Sequence, residues 1–356
     1  MKNIEKYLSL LGQQVDGLLL TSRFSRMYGA EYDIAEGMAI VTASGCRYFT
    51  DSRYIEAAEN NITGFQVMEM NAANPYSKLL NDAIAEFGVK TLGYEEEYMT
   101  VSEFHTLKEK LNAQQIPCNE KIHSFRAVKE AWELERMRKA QEITDQAFSE
   151  VLGKIRVGMS EKELAAELVY CLLKNGADGM AFEPIVVAGP NTSMPHGVPG
   201  DRLIEPGDFI TMDFGAMYQG YCADMTRTVA VRFATEEMRD VYETVLKAQT
   251  SAIEFSKAGV MGKQIDAVAR NIIADAGYGK YFGHGYGHCI GMQCHEAPNC
   301  NPRDERIMQE NMVSSAEPGI YLPGKFGVRI EDLIIFTANG CENMTKSPKN
   351  LLILEI

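Results

Sequence analysis

With 356 residues, 46% of them apolar and 24% charged, the chain has the composition of an ordinary globular protein, and at roughly 150 residues per domain it is expected to form two domains. Acidic residues outnumber basic ones 49 to 35, for a formal charge of -14, and no basic block interrupts them, which argues against nucleic acid as a partner. No run of about 18 apolar residues and no apolar leader occurs, which argues against a membrane span and a secretion signal; eight cysteines without a C-x-x-C pair fit reduced, packed thiols in a cytoplasm.

Residues 1–125 alternate short apolar runs with amphipathic stretches. Helices are predicted in IEKYLSLLG, SRYIEAAEN, YSKLLNDAIAEFG and VSEFHTLKEKL, and strands in VDGLLL, GMAIVTAS, RYFTD, FQVMEM and TLGYE, which makes this an α/β domain. Its two histidines, His105 and His123, stand apart from other ligand types and read as non-functional. A long helix is predicted from about Val128, because Ala140, Ile143, Ala147 and Val151 recur at spacings of three and four, and the domain boundary is placed there, giving 1–125 and 126–356. Alternating charges on it, such as Glu135 and Lys139, read as a solvated face. The next helix, SEKELAAELVYCLLKNGA, opens with a capping box of Ser160 and Glu163 and closes after Asn175 and Gly176. Strands in PIVVAG and DFITMDFGAMYQGYCADMTRTVAV, helices over 235–257 and 263–276, and strands to the end make the second domain α+β, with helices beside a curved, largely antiparallel sheet.

Within this domain acids enter apolar strands. Asp213 ends one run and Asp224 interrupts the next, with GAMYQG between them as a hairpin turn. Strand alternation puts Thr211 and Asp213 on one face, and Cys222, Asp224 and Thr226 on one face of the partner strand. Two carboxylates meeting in an apolar setting repel, and one takes up a proton unless a cation lies between them; the alternative is two surface aspartates at turn edges. Glu331 falls inside the run VRIEDLIIF, sharing a face with Arg329, and Glu317 ends the run MVSSA ahead of Pro318 and Gly319. His288 lies in GHGYGHCIGMQCHEAP, which by itself also reads as a zinc finger or as a cysteine nucleophile. Two Asp, two Glu and one His suit two divalent ions such as Mn, Co or Zn.

The ordered segments MDFGAMYQGYCADMTRT, HGYGHCIGMQCHEAP, EPGIYLPG and VRIED resemble the pita-bread metallopeptidases of family M24, in particular the branch of Xaa-Pro dipeptidases (prolidases) and Xaa-Pro aminopeptidases. VDGLLLTSRFSRMYG and YFTDSRYIEAA resemble the creatinase-like amino-terminal domain of that branch. The resemblance implies a pita-bread catalytic domain behind a smaller α/β domain, and a cytoplasmic homodimer. It also implies hydrolysis of the bond before proline in dipeptides or short peptides, through a hydroxide bridging two metal ions, with manganese foremost and cobalt or zinc as options. Asp213 would bind one metal, His288 and Glu317 the other, and Asp224 and Glu331 both. Glu317 would act as general acid and base, His196 of the PHG segment would contact substrate, and His295 would donate to the substrate carbonyl or the intermediate. His284 and Arg329 resemble residues at the proline end, where a positive group holds a dipeptide's carboxylate; Arg329 reads equally as a partner orienting Glu331. Glu296 reads as structural, and Tyr218 and Arg227 fit the pattern without a role. Tyr286 and Cys289 stand where the family has Thr and Gly, and the cysteines read as bystanders. The chain's length favours small peptides. The competing readings are a related hydrolase acting on another amide, a non-catalytic peptide-binding module and a cysteine-nucleophile enzyme.

Overall fold

The computed structural model describes residues 3–12 and 14–356. The chain divides into two compact units, Met1–Arg126 and Ala127–Ile356. The first is built on a six-stranded sheet of β1 (Gly17–Leu20), β2 (Met38–Thr42), β3 (Gly45–Asp51), β4 (Gln66–Met70), β5 (Thr91–Tyr94) and β6 (Gln114–Pro117), in the order β4-β3-β2-β1-β5-β6. β1 is buried at all four positions, as expected of a central strand whose apolar run is unbroken. Leu19, Ile40, Leu80 and Leu92 belong to the core that forms around it. The edge strand β6 and the helix Arg23–Ala30 have no counterpart among the predicted elements. QQIP offers one aliphatic residue and a proline, too little for a period-two signal, and RFSRMYGA carries a glycine and scattered polar residues.

The second unit begins with the helix Ala131–Leu152, three residues later than its periodicity implied, because Glu130 caps it and donates its amide to the Glu133 carboxylate at 2.8 Å. The capping box of Ser160 and Glu163 opens the helix Glu161–Lys174, as the sequence indicated. The short strands β7 (Gly179–Met180) and β8 (Ile185–Ala188) follow, then β9 (Phe209–Phe214), β10 (Ala216–Tyr218), β11 (Tyr221–Cys222) and β12 (Met225–Val231). After the helices Glu236–Phe255 and Gly262–Asp275 come β13 (Gly287–Cys289), β14 (Glu296–Cys300), β15 (Val313–Ala316), β16 (Gly319–Leu322), β17 (Phe326–Arg329), β18 (Asp332–Thr337), β19 (Gly340–Asn343) and β20 (Ile353–Leu354).

These strands form small, largely antiparallel sheets: β20-β12-β9-β8, β14-β13-β15-β18-β19, β11-β10-β7 and the pair β16-β17. One core packs the first two helices on β8, β9 and β12 through Ile143, Phe148, Leu168, Ile210 and Val229. A second core packs the later helices on the remaining strands through Val241, Val245, Ile265, Ile320 and Ile334.

Two predicted strand positions, Asp224 and Glu331, turn out to be breaks, and Glu317 lies at a strand end as expected. The β9–β12 ladder ends at Phe214↔Met225, and β10 turns away to pair with β7. Gly215 permits this, since a Cβ there would lie 1.8 Å from the Ala223 carbonyl oxygen. Asp224 therefore sits between β11 and β12 instead of within a hairpin strand. Glu331, expected inside a strand, occupies the step from β17 to β18, and Glu317 occupies the step from β15 to β16. Their amides stay bonded, Glu331 to the Thr226 carbonyl at 3.1 Å and Glu317 to that of Tyr286 at 2.8 Å.

Arg227 fixes one of these steps. Its guanidinium is buried, pairs with Asp332 at 2.7 Å and donates to the carbonyls of Glu331 (2.5 Å), Ser347 (2.8 Å) and Pro348 (3.0 Å). A lysine lacks the fork needed to span these acceptors. Arg227→Ala, which strands buried acceptors, should lower stability by about 3 kcal/mol or more, and Arg227→Lys should recover only part of it. The midpoint of urea unfolding checks this; an unchanged midpoint would show that the clamp carries no weight.

Candidate metal centre and active-site cavity

The breaks deliver their side chains to one place. Asp213, Asp224, His288, Glu317 and Glu331 all line a cavity of about 1090 Å³ in the second unit. Asp213 projects from β9 and is paired across the ladder with Thr226, so both face one side of the sheet. Thr226 donates its hydroxyl to Glu331 at 2.6 Å. Ser315, at the end of β15, accepts the His288 amide at 3.0 Å and donates to Glu317 at 3.0 Å. Strands β13 and β15 approach closely enough for this because residue 287 is glycine; a Cβ there would lie 2.2 Å from the Ser315 carbonyl oxygen. The Nδ1 of His288 lies 3.1 Å from the Cys289 carbonyl, which turns Nε2 toward the acids, 3.2 Å from Glu317 and 3.7 Å from Asp224.

The donor set fits divalent cations on an observation internal to the chain. Asp213 Oδ1, Asp224 Oδ1 and Glu331 Oε1 are buried and have no hydrogen-bond partner among the described residues. Buried carboxylate oxygens without partners are costly, and here three converge. Ligand atoms of Asp224, His288 and Glu331 lie within 4.8 Å of one another. Burial, compounded by Asp213, raises the Asp224 carboxyl well above its usual range, and burial with Asp224 and Glu317 does the same to Glu331. Burial also works to raise Glu317, but the hydrogen bond and charge of His288 outweigh it and bring Glu317 to about 2. Burial disfavours the imidazolium of His288, and the bond to and charge of Glu317, with Asp224, reverse this and lift it to about 9.

Arg329 is only 3% exposed and donates to Asp213 at 2.5 Å, Thr226 at 3.0 Å, the Tyr321 hydroxyl at 2.9 Å and the Pro195 carbonyl at 3.3 Å. It holds Asp213 directly and reaches Glu331 only through Thr226. His284 has Nε2 2.9 Å from the Tyr321 hydroxyl and Nδ1 2.8 Å from the Gly285 carbonyl. His196 lies exposed in the loop after the turn Gly189–Ser193, and His295, also exposed, has its ring centroid 4.3 Å from that of His288; both line the cavity. Ser315 and Tyr321 escaped the sequence reading, although Ser315 stands two residues from Glu317, and Thr226, placed there on one face with Asp224, was given no role.

Other singled-out residues lie elsewhere. Glu296 makes a buried ion pair with Lys129 at 3.0 Å, consistent with a structural role. Tyr286 is buried with its hydroxyl on the Gln249 carbonyl, and Tyr218 does not line the cavity. Cys289 is buried. Cys294, read as a bystander, lines the cavity and donates its thiol to Asp224 at 3.3 Å, within the close set His288, Cys294 and His295. Burial and the Asp224 charge push that thiol far above the usual range, and burial pushes Cys289 up to about 12. Neither is poised as a thiolate nucleophile. Iodoacetamide at pH 8, mapped by mass spectrometry, should spare Cys289 and Cys294 in the native protein and label all eight cysteines after unfolding; rapid native labelling of Cys294 would contradict this geometry.

Residues 135–338 match the profile of Metallopeptidase family M24, and residues 5–128 match that of the Creatinase/Prolidase N-terminal domain. An uncharacterized peptidase of Bacillus subtilis is 39% identical over 353 residues, covering 99% of both chains, and an Xaa-Pro dipeptidase of Pyrococcus horikoshii is 36% identical over 90% of this chain and 89% of its own. Among solved structures, an Xaa-Pro dipeptidase from Bacillus anthracis superposes with a TM-score of 0.96 at 39% identity, over 99% of both chains. An X-Pro aminopeptidase from Thermotoga maritima superposes with a TM-score of 0.92 at 36% identity, over 98% of this chain and 99% of its own. A cluster of buried acids delivered by breaks in a pita-bread domain, with these matches along its length, identifies the chain as a metallopeptidase of family M24.

Proposed function

We propose that this chain is a two-metal peptidase that hydrolyses the bond before proline in dipeptides or short peptides, with residues 126–356 as the catalytic domain and 1–125 as the creatinase-like domain. The observation that carries the reading is the convergence of three unpartnered, buried carboxylate oxygens beside His288 and Glu317. The Xaa-Pro direction rests on the sequence resemblance and on the dipeptidases and aminopeptidase to which the chain is similar. Asp213, Asp224, His288, Glu317 and Glu331 would hold the ions, Asp224 and Glu331 bridging; their four carboxylates balance two divalent charges. Oxygen donors predominate, which favours manganese, with cobalt and zinc compatible. Charge, unpaired cysteines and the lack of any described helix long and apolar enough to cross a membrane support a cytoplasmic setting; the homodimer rests on the resemblance alone.

Bound there, the ions would supply Lewis acidity, acidifying a water between them and polarising the scissile carbonyl. The chain's own residues do the rest. Glu317, held by Ser315 and His288, takes the water proton and delivers it to the leaving nitrogen. That delivery is needed because the nitrogen would otherwise have to leave as a strongly basic anion. His295 and His196, exposed on the cavity wall, face the carbonyl and the substrate. Arg329, engaged by Asp213, Thr226 and Tyr321, positions the first of these against drift.

The manganese-supplemented protein should release proline from Ala-Pro much faster than it cleaves Ala-Ala, and Glu317→Gln should lose activity by about a hundredfold or more while keeping its circular dichroism spectrum. Equal rates on Ala-Pro and Ala-Ala would point to another amide, and an inactive protein that binds no metal would point to a peptide-binding module. Metal loading supplies a further test. Metal binding requires a neutral His288, raised to about 9, and ionised Asp224 and Glu331, both raised. Adding Mn²⁺ to metal-free protein in weak buffer at pH 7 should therefore release protons, and apparent affinity should climb with pH. Uptake of metal without proton release would contradict these protonation states.

A further inference from the structure

A dipeptide ending in proline carries its carboxylate on the carbon next to the leaving nitrogen, so that charge enters the cavity with the scissile bond. Holding it there requires a cation or a set of free donors. Among the described residues that line the cavity, Arg329 is the one permanently cationic side chain, and it is committed to Asp213, Thr226, Tyr321 and the Pro195 carbonyl. His284 is committed as well. The Tyr321 hydroxyl accepts from Arg329, so its proton is directed to His284 Nε2, while Nδ1–H of His284 donates to the Gly285 carbonyl. That pairing is made by a neutral imidazole.

The rest of the wall carries no permanently cationic side chain. Two divalent cations and Arg329 together offset the four acids of the proposed metal centre and Glu183, exposed at the cavity, which leaves no spare cation for a further carboxylate. Asn299 pairs across the ladder with His288 and so faces the same side, and Asn301 lies beside it on the wall. Uncharged amides of this kind match the N–H and C=O groups of a continuing peptide chain, whereas a free carboxylate would enter without a cation to pair with it.

We infer that this cavity selects peptides that continue beyond proline, so that the chain acts as an aminopeptidase on substrates of three or more residues and handles the free dipeptide poorly. Asn299 is the neutral side chain placed to meet the continuing backbone. This inference rests on the Xaa-Pro reading above and deepens it.

The test compares kcat/KM of the manganese-loaded enzyme for Ala-Pro, Ala-Pro-NH2 and Ala-Pro-Ala at pH 8, where imidazoles of ordinary pKa are neutral. Ala-Pro and its amide differ only in the terminal charge. The amide and the tripeptide should each exceed the free dipeptide by about tenfold or more, mainly through KM, as expected when an unpaired charge is buried. A smaller advantage, or a preference for free Ala-Pro, overturns the inference while leaving Xaa-Pro hydrolysis in place. Hydrolysis of none of the three removes the Xaa-Pro reading and this inference with it.

Discussion

Mutual repulsion among buried carboxylates is the constraint around which the catalytic unit is arranged. Asp213, Asp224 and Glu331 are each at most 9% exposed, and Glu317 joins them in the same cavity. Burial and the neighbouring acids raise the carboxyls of Asp224 and Glu331 well above their usual range. The protein tolerates the arrangement by distributing positive partners unevenly. Arg329 pairs with one oxygen of Asp213 and His288 with Glu317, while one oxygen each of Asp213, Asp224 and Glu331 has no partner among the described residues. The unsatisfied atoms belong to acids that line one cavity, where cations would gain from them.

Backbone irregularity is the means of bringing the acids together. A regular strand would alternate each acid between two faces and bond its amide into a ladder on both sides. Breaks free Asp224, Glu317 and Glu331 from that alternation while one amide bond each to Thr226 or Tyr286 preserves the position of the two glutamates. Close backbone approaches at Gly215 and Gly287 make room, and buried Arg227 closes the loop of carbonyls at the step beside Glu331. Of the supporting hydroxyls, Ser315 stands two residues from the Glu317 it holds, so that orientation is local, whereas Thr226 reaches Glu331 from the distant strand β12.

Much of this was legible from residue order. Acids embedded in apolar runs at 213, 224 and 331 have few explanations other than a shared partner, and the amphipathic helices carried clear periodicity and caps. What stayed hidden depended on pairing between remote segments. Alternation within VRIEDLIIF put Arg329 with Glu331, yet the guanidinium reaches Asp213, 116 residues away in sequence. Nothing in CHEAP announces that Cys294 faces Asp224, because a thiol beside a histidine looks the same whether it packs in a core or lines a cavity. The edge strand β6 was missed for a simpler reason: QQIP has no alternation to detect.

The span of these contacts has a bearing on how the protein becomes active. Thr226 and Glu331 are joined across 105 residues, and His288 meets Glu317 only when two further strands have docked. No local segment holds a usable fraction of the cluster, so cations have little to grip in an unfolded or half-formed chain. Their binding free energy would then be delivered almost wholly to the finished structure, making bound metal the last fastening of the fold.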